Sequence, residues 1–280
     1  MYKYFAVSDI HSYYDELMVA LTNAKFNFNN PQHKLIICGD AFDRGDQTIE
    51  LFNFMKQLQS ENRLIYVLGN HEDLLFDCIK ELSIYGKAGN HHYHNQTIKT
   101  LSHFIDEDDF WMYSTYIPTS VIDKIVTSTK ELRDFISKNG VNYFELGDRI
   151  FTHSWLPIHN DLYKGDIIWP EWNKEPIQEE ILTFNKMWKD ARWGNPYLQW
   201  KNKLYPEGKT IVFGHFHTSY GHSHIDMKTK EWPQKNRKDW LDAFSPWIKE
   251  NAIGLDACCA YSGKINCVVF DKNGKMINYI

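Results

Sequence analysis

Three times in the first 82 residues a short apolar run ends abruptly in polar, chemically active residues, and a helical stretch follows. The runs Tyr4–Val7, Leu35–Cys38 and Leu64–Leu68 read as strands. The stretches Asp15–Ala24, Thr48–Leu58 and Leu74–Leu82 read as helices, with Leu17, Ala20, Leu21 and Ala24 on one stripe and Ile49, Phe52 and Met55 on another. Between them stand Asp9-Ile10-His11, Gly39-Asp40-Ala41-Phe42-Asp43-Arg44-Gly45 and Gly69-Asn70-His71-Glu72. Strand, polar turn and helix in repetition predict a layered α/β domain with parallel strands, whose strand C-termini form the ligand-binding edge.

The pattern returns later. Thr127–Asn139 reads as a helix stopped at Gly140. Tyr143–Leu146 and Arg149–Thr152 read as a hairpin turning at Gly147-Asp148, with His153 at its end. Thr210–Phe213 is another apolar run, ended by Gly214-His215-Phe216-His217. Ala252–Asp256, Ile265–Asp271 and Met276–Ile280 read as closing strands, the last two joined at Asn273-Gly274. Residues 155–205, dense in tryptophan, and the polar stretch 219–250 read as insertions. No repeat and no Ser/Pro/Gly linker divides the chain, so one domain over 1–280 is expected.

Composition narrows the function classes. The 280 residues are 43% hydrophobic and 24% charged, which excludes disordered and collagen-like chains. Net charge is −5, without the basic footprint of a nucleic-acid binder. No apolar run approaches the ~18 residues of a membrane helix, and no basic-then-apolar start suggests a signal peptide. Five cysteines, an odd number without a C-x-x-C pair, predict reduced thiols and a cytoplasmic location.

Carboxylate and imidazole together suit Zn, Mn or Fe. Asp9 and His11, two apart, can project to one side as a strand ends. Asp40 can bridge two cations, and a neutral Asn70 suits a crowded site. Two metals roughly 3.5–4 Å apart would clamp a phosphoryl group and deprotonate a bound water. Each cluster alone has a structural explanation, such as a capping Asn or a core histidine. Their recurrence in this order, each at a strand end, is hard to explain that way.

These motifs resemble those of the calcineurin-like metallophosphoesterase superfamily. Within it, G-D-x-x-D-R-G with G-N-H-E resembles the phosphoprotein phosphatase branch, which includes bacterial and phage-type Ser/Thr protein phosphatases and symmetrical diadenosine tetraphosphatases. Residues 255–265 also resemble that branch's D-T-G-x-x-x-G-G-x-L segment. The resemblance is dense over 1–75 and recurs around 149–154, 210–218 and 253–271.

It implies an α/β fold: a β-sandwich flanked by helices in α/β/β/α layers. It implies that Asp9, His11 and Asp40 hold a first metal, and that Asp40, Asn70, His153 and His215 hold a second. His71 would be the general acid, Asp43 its orienter, and Arg44 and Asn70 would bind phosphate. The chemistry agrees: an alkoxide leaves poorly unless protonated, His titrates in the useful range, and an Arg fork matches two phosphate oxygens. His217 is a candidate extra ligand of the first metal, or else bonds to a neighbouring loop. Arg192 is a candidate second phosphate clamp, or else stacks on the nearby tryptophans.

The chain departs from the branch at Ser12, at Ser154-Trp155 and at Ala257-Cys258, where glycine or small residues are usual. His91-His92-Tyr93-His94 falls where related sequences tend to carry a Gly-rich substrate loop. A solvated loop or substrate-facing rim is preferred there over a separate metal site. His222 and His224 are expected at the surface, and Lys228–Lys238 as a solvated loop.

The function expected is a two-metal phosphomonoester hydrolase resembling Ser/Thr protein phosphatases. A metal-bridging hydroxide would attack in line on a phosphorylated protein or small phosphoester. The metals would be Mn, with Fe or Zn as alternatives. Hydrolysis of a dinucleoside polyphosphate or other nucleotide is the alternative, with insertion aromatics stacking a base at ~1–3 kcal/mol. A non-catalytic metal-binding scaffold is the third. No membrane or nucleic-acid partner is expected.

Overall fold

The computed structural model describes residues 2–105, 117–234 and 240–280. The predicted alternation is present: β1 (Lys3–Val7), α1 (Tyr14–Asn23), β2 (His33–Cys38), α2 (Thr48–Ser60), β3 (Leu64–Val67) and α3 (Asn70–Tyr85). Helix α3 begins four residues before the expected Leu74. The Glu72 carboxylate accepts the Gly69 N–H at 2.6 Å, satisfying an orphan donor of the first turn. The polar motif is therefore the helix's own N-terminus.

Next come α4 (Asn90–His94), α5 (Thr97–Ser102), α6 (Thr119–Ser128) and α7 (Lys130–Asn139). The single helix expected over 127–139 is thus two. They part at Thr129, whose hydroxyl donates to the Ile125 carbonyl at 2.6 Å, the kind of local bond that competes with helix continuation. The 91–94 segment is helical, with His92 fully buried, and is not a solvated loop.

Strands β4 (Gly140–Val141), β5 (Phe144–Leu146) and β6 (Arg149–Phe151) follow. Residues 155–205 hold a hairpin, β7 (Ile158–Asp161) and β8 (Gly165–Ile168), and the helices α8 (Ile181–Arg192) and α9 (Pro196–Lys201). Then come β9 (Thr210–Phe213), β10 (Trp247–Lys249), β11 (Ala252–Gly254), β12 (Val268–Asp271) and β13 (Met276–Tyr279). Strand β10 lies within 219–250, a stretch expected to be an insertion. It is a sheet edge there because Trp247 buries its whole side chain among Tyr197, Trp200 and Phe213. Residues 235–239 of the same stretch lie outside the described residues.

Two sheets result, ordered β13-β12-β1-β2-β3-β4 and β10-β11-β9-β6-β5. The run β1 to β4 is parallel, as predicted. The hairpin β12–β13 adds antiparallel strands at its edge. In the second sheet β9 runs parallel to both β6 and β11.

Side chains alternate across each strand, so each sheet buries two faces. Ala6, Ile36, Cys38 and Val67 meet Phe151, Val212, Ile253 and Leu255 between the sheets. On the opposite face of the first sheet, Phe5, Val7 and Ile37 pack with Leu17, Leu51 and Ile125 of the helices. On the opposite face of the second, Ile150, Ile211 and Phe213 pack with Trp155, Trp188 and Tyr197. The product is a two-sheet sandwich flanked by helices, the architecture expected.

Candidate active site

Parallel strands deliver their C-termini to one edge, and the polar clusters ride on that geometry. Asp9, Asp40, His153, His215 and Asp256 each stand two residues beyond β1, β2, β6, β9 and β11, and Asn70 stands three beyond β3. The chain turns sharply there. Asp9, His11, Asp40, Asp43, Arg44 and His215 all have positive φ, between +50° and +74°. Each left-handed non-glycine residue costs about 1–3 kcal/mol, a strain that concentrates at functional sites. Ser12 (φ +59°) and Cys258 (φ +52°) share that conformation, which explains why glycine is usual at both positions. Ser12 instead anchors its hydroxyl 2.9 Å from that of Thr48. Gly69 and Gly214 let the turns close: a Cβ would sit 2.2 Å from Asp40 Oδ1 at Gly69 and 2.1 Å from Asp9 Oδ2 at Gly214.

Asp40 is the centre. Its backbone N–H and that of Ala41 donate to Glu72 at 3.1 and 3.0 Å, and its Oδ1 accepts the His71 N–H at 2.9 Å. Two groups of metal-type side chains share it: His11, Asp40 and His71, and Asp40, His153 and His215. In each group the ligand atoms lie within 4.8 Å of one another. His11 Nδ1 donates to the Phe42 carbonyl and His153 Nδ1 to the Cys38 carbonyl, both at 2.9 Å. Such bonds fix the tautomer and leave Nε2 with its lone pair. His153 Nε2 then lies 2.8 Å from Asn70 Oδ1 and 3.4 Å from Asp40 Oδ1. Three lone pairs converge there, an arrangement that a cation resolves.

The electrostatics agree. Burial holds the His11, His153 and His215 pKa values down, His215 to about 3, so these rings are neutral at pH 7 and able to offer a lone pair to a cation. Burial, then Asp256 and Asp40, push Asp9 well above the usual carboxylate range, and burial lifts Asp256 to about 6. Buried carboxylates crowded in this way need compensating positive charge. The donor set therefore fits two hard-to-borderline divalent metals.

His71 differs from the other imidazoles. Burial opposes its charge, but Asp40 and Asp43 outweigh burial and raise its pKa. Nδ1 is 2.7 Å from Asp43 Oδ2, while Nε2 is 3.4 Å from Arg44 Nη2 and 3.8 Å from Asp40 Oδ2. Asp43 is itself held by the hydroxyls of Thr97 (2.9 Å) and Thr100 (2.6 Å).

A cleft of about 310 Å³ gathers Asp9, His11, Asp40, Arg44, Asn70, His71, His215 and His217, together with Trp193, Trp232 and Asp256. Not every predicted residue joins the cluster. The Asp9 carboxylate faces the His215 N–H (2.9 and 3.2 Å), tying the end of β1 to that of β9. His217 has both ring nitrogens engaged: Nδ1 lies 2.7 Å from Ser219 Oγ and Nε2 lies 3.4 Å from Glu231. Its ring packs on Trp232 at 4.4 Å.

Arg192 lines a different hollow. Nη1 donates to both Asp73 oxygens (3.0 and 2.9 Å) and Nη2 to Asn142 (2.5 Å). Both terminal nitrogens are thus taken, so neither two-nitrogen fork of the guanidinium is free for phosphate. His222, expected at the surface, is mostly covered, its side chain 14% exposed and reaching the Ser245 carbonyl at 3.2 Å and Asp226 at 3.6 Å. His224, by contrast, stacks half-exposed on Tyr220. Trp155, in place of the usual small residue, is buried and donates its indole N–H to the Leu204 carbonyl.

Sequence reasoning missed Thr97, Thr100, Glu72 and Asp256. Glu72 carried a signal in the Gly69-Asn70-His71-Glu72 motif and Asp256 in its two-residue offset from a strand end, whereas Thr97 and Thr100 carried none.

The comparisons with known proteins follow this geometry. A calcineurin-like phosphoesterase family model matches residues 2–241. The chain is 25% identical over 229 residues to Shewanella-like protein phosphatase 1 of Plasmodium berghei, covering 68% of this chain and 59% of that one. It is 32% identical over 83 residues to the asymmetrical bis(5'-nucleosyl)-tetraphosphatase PrpE of Bacillus subtilis, covering 28% of this chain and 34% of that one. In both cases the match spans less than two thirds of the relative. To the symmetrical bis(5'-nucleosyl)-tetraphosphatase of Klebsiella pneumoniae it is 22% identical over 297 residues, covering 94% and 90%. A solved cold-active protein tyrosine phosphatase shares the fold, with a TM-score of 0.50 at 15% identity, covering 99% of this chain and 78% of that one. With the family model running from β1 past β9 and the strand ends meeting at Asp40, the chain belongs to the calcineurin-like phosphoesterase family.

Proposed function

We propose that this chain is a two-metal phosphomonoester hydrolase acting on a phosphorylated protein or a small phosphoester. The observation that carries the reading is Asp40, shared between two groups of metal-type side chains in which His11, His153 and His215 are held neutral by burial while His71 is held toward its charged form. Asp9, His11 and Asp40 would hold one metal, and Asp40, Asn70, His153 and His215 the other. Manganese is the first choice, with iron or zinc as alternatives. Bound there, the metals would polarise the phosphoryl oxygens and acidify a water at neutral pH.

The chain's own residues supply the rest. Arg44, beside His71 at 3.4 Å, clamps phosphate oxygens. His71 gives its Nε2 proton to the departing oxygen, worth about 10²–10⁴-fold, while Asp43 fixes the ring through Nδ1. Arg192 is left out because Nη1 and Nη2 bond Asp73 and Asn142 in a different hollow, and His217 because its ring faces Ser219 and Glu231. The whole chain serves as one catalytic unit. Five free thiols support a cytoplasmic setting, and among the described residues no helix is long and apolar enough to cross a membrane.

A second reading has its own observation. Trp193 and Trp232, 47% and 50% exposed, border the cleft and could stack the bases of a dinucleoside polyphosphate. The deciding experiment compares p-nitrophenyl phosphate, a phosphoserine peptide and diadenosine tetraphosphate, each with Mn²⁺ or chelator. Chelator-sensitive phosphate release from the peptide is expected. Preference for the dinucleotide would move the substrate to nucleotides. Silence on all three with metals bound would replace the enzyme reading with that of a scaffold.

A further inference from the structure

A second cluster of metal-type side chains lies away from Asp40. Glu81 sits on α3, near its C-terminal end. The chain reverses at Gly86 (φ +67°), and α4 returns His91 and His92 to it. His92 is fully buried, yet neither of its ring nitrogens has a hydrogen-bond partner among the described residues. Its Nε2 stands 3.5 Å from Glu81 Oε2, and His91 Nε2 stands 4.0 Å from Glu81 Oε1. The two rings are 3.9 Å apart. All three ligand atoms fall within 4.8 Å of one another.

The surroundings are built for this convergence. The Gly89 N–H donates to Glu81 Oε2 at 2.7 Å and orients the carboxylate, as an outer-shell bond does for a metal ligand. A Cβ at residue 89 would press to 2.8 Å from the His91 ring and 3.2 Å from Glu81 Oε2, so glycine keeps the space open. A buried imidazole with two unsatisfied nitrogens is expensive. A simple ion pair does not relieve it, because burial disfavours the charged ring. Zn–N bonds of ~2.0–2.1 Å put tetrahedral ligand atoms roughly 3.3 Å apart, within reach of a small rotation of His91, whose side chain is 52% exposed.

We propose that Glu81, His91 and His92 form a separate site for a zinc-class divalent cation, with solvent in the fourth position beside the exposed His91. The cation fastens α4 to α3. Helix α5 follows at once and carries Thr97 and Thr100 to Asp43, and Lys99 to the Arg44 carbonyl. The site therefore steadies the segment that positions the residues around His71.

The test is metal content after equilibrium dialysis of the full chain against Zn²⁺, read beside the melting temperature. Wild type should carry one zinc more than Glu81→Gln and His91→Ala, both partly exposed positions that leave the core intact. The zinc-dependent rise in melting temperature should shrink in both variants. Asp40→Asn should retain this zinc, which separates the result from the fate of the Asp40 cluster. Equal zinc counts in wild type, Glu81→Gln and His91→Ala would overturn the proposal, whatever the Asp40 cluster binds.

Discussion

The Asp40 and Glu81 clusters use the same donors and are built in opposite ways. The Asp40 cluster draws on residues just past strand ends, from His11 to His215, in two sheets. Two of its imidazoles are pinned through Nδ1 to backbone carbonyls, and its backbone is locked at positive φ. The Glu81 cluster lies within residues 81–92. None of its three residues has a positive φ, and among the described residues no hydrogen bond fixes the His92 tautomer. A site held by sheets and strained turns is organised before a ligand arrives, whereas a site between consecutive helices leaves its ordering to the ligand.

Breaking Asp40 should have the largest effect. Asp40→Asn removes the charge shared by both imidazole groups, and turnover on p-nitrophenyl phosphate should fall by ~10⁴-fold or more, since metal polarisation supplies several kcal/mol at ~1.4 per decade. Metal bound at this cluster should go with it. A variant with its full metal complement would show that Asp40 is not the shared ligand.

His71→Ala should lower kcat by ~10²–10⁴-fold with metal retained. The loss should be smaller on an aryl phosphate than on an alkyl phosphate, because an aryl leaving group needs less protonation. An equal loss on both substrates argues against proton transfer from His71.

Thr100→Val probes the link between the α5 segment and the active site. It removes one hydroxyl from Asp43 and should reduce kcat by ~10–100-fold, the usual reach of an outer-shell partner, without changing metal content. An unchanged kcat would cut α5 off from the chemistry.

The smallest effect on turnover concerns His217, outside both clusters, where it is stability that changes. Burial, with His224 behind it, lowers its pKa to about 4. Below pH ~6.5 the unfolded chain takes up a proton that the folded chain refuses until near pH 4, so stability is lost as pH falls across that window. His217→Gln should lose up to ~2–3 kcal/mol less than wild type between pH 6.5 and 4 in urea melts. Parallel losses would mean that His217 titrates normally in the fold.

Much of the sandwich was readable because a strand's character is local. Phe5 and Val7 alternate with Tyr4 and Ala6, and the turn to Asp9 follows without interruption. The same holds for β2, β3 and β9. The break at Thr129 was not readable, since periodicity runs straight through the one residue, hydroxyl-bonded to Ile125, at which the two helices part. Nor was β10, whose place depends on a Trp247 pocket assembled from Tyr197, Trp200 and Phe213.

The same division runs through the chemistry. Which side chains stand at the strand ends, and in what order, is written in the chain, because each follows its strand by two or three residues. Which of them meet is a matter of long-range packing. Thr97 and Thr100 reach Asp43 across 54 and 57 residues. Arg192 is captured by Asp73 and Asn142 across 119 and 50 residues. His92, expected in a solvated loop or substrate-facing rim, is sealed beside Glu81. Short spacings encode direction and periodicity, but contact between distant segments depends on how the sheets and helices close over one another, and only the closed fold sets the dielectric and the partners that give an imidazole or a guanidinium its role.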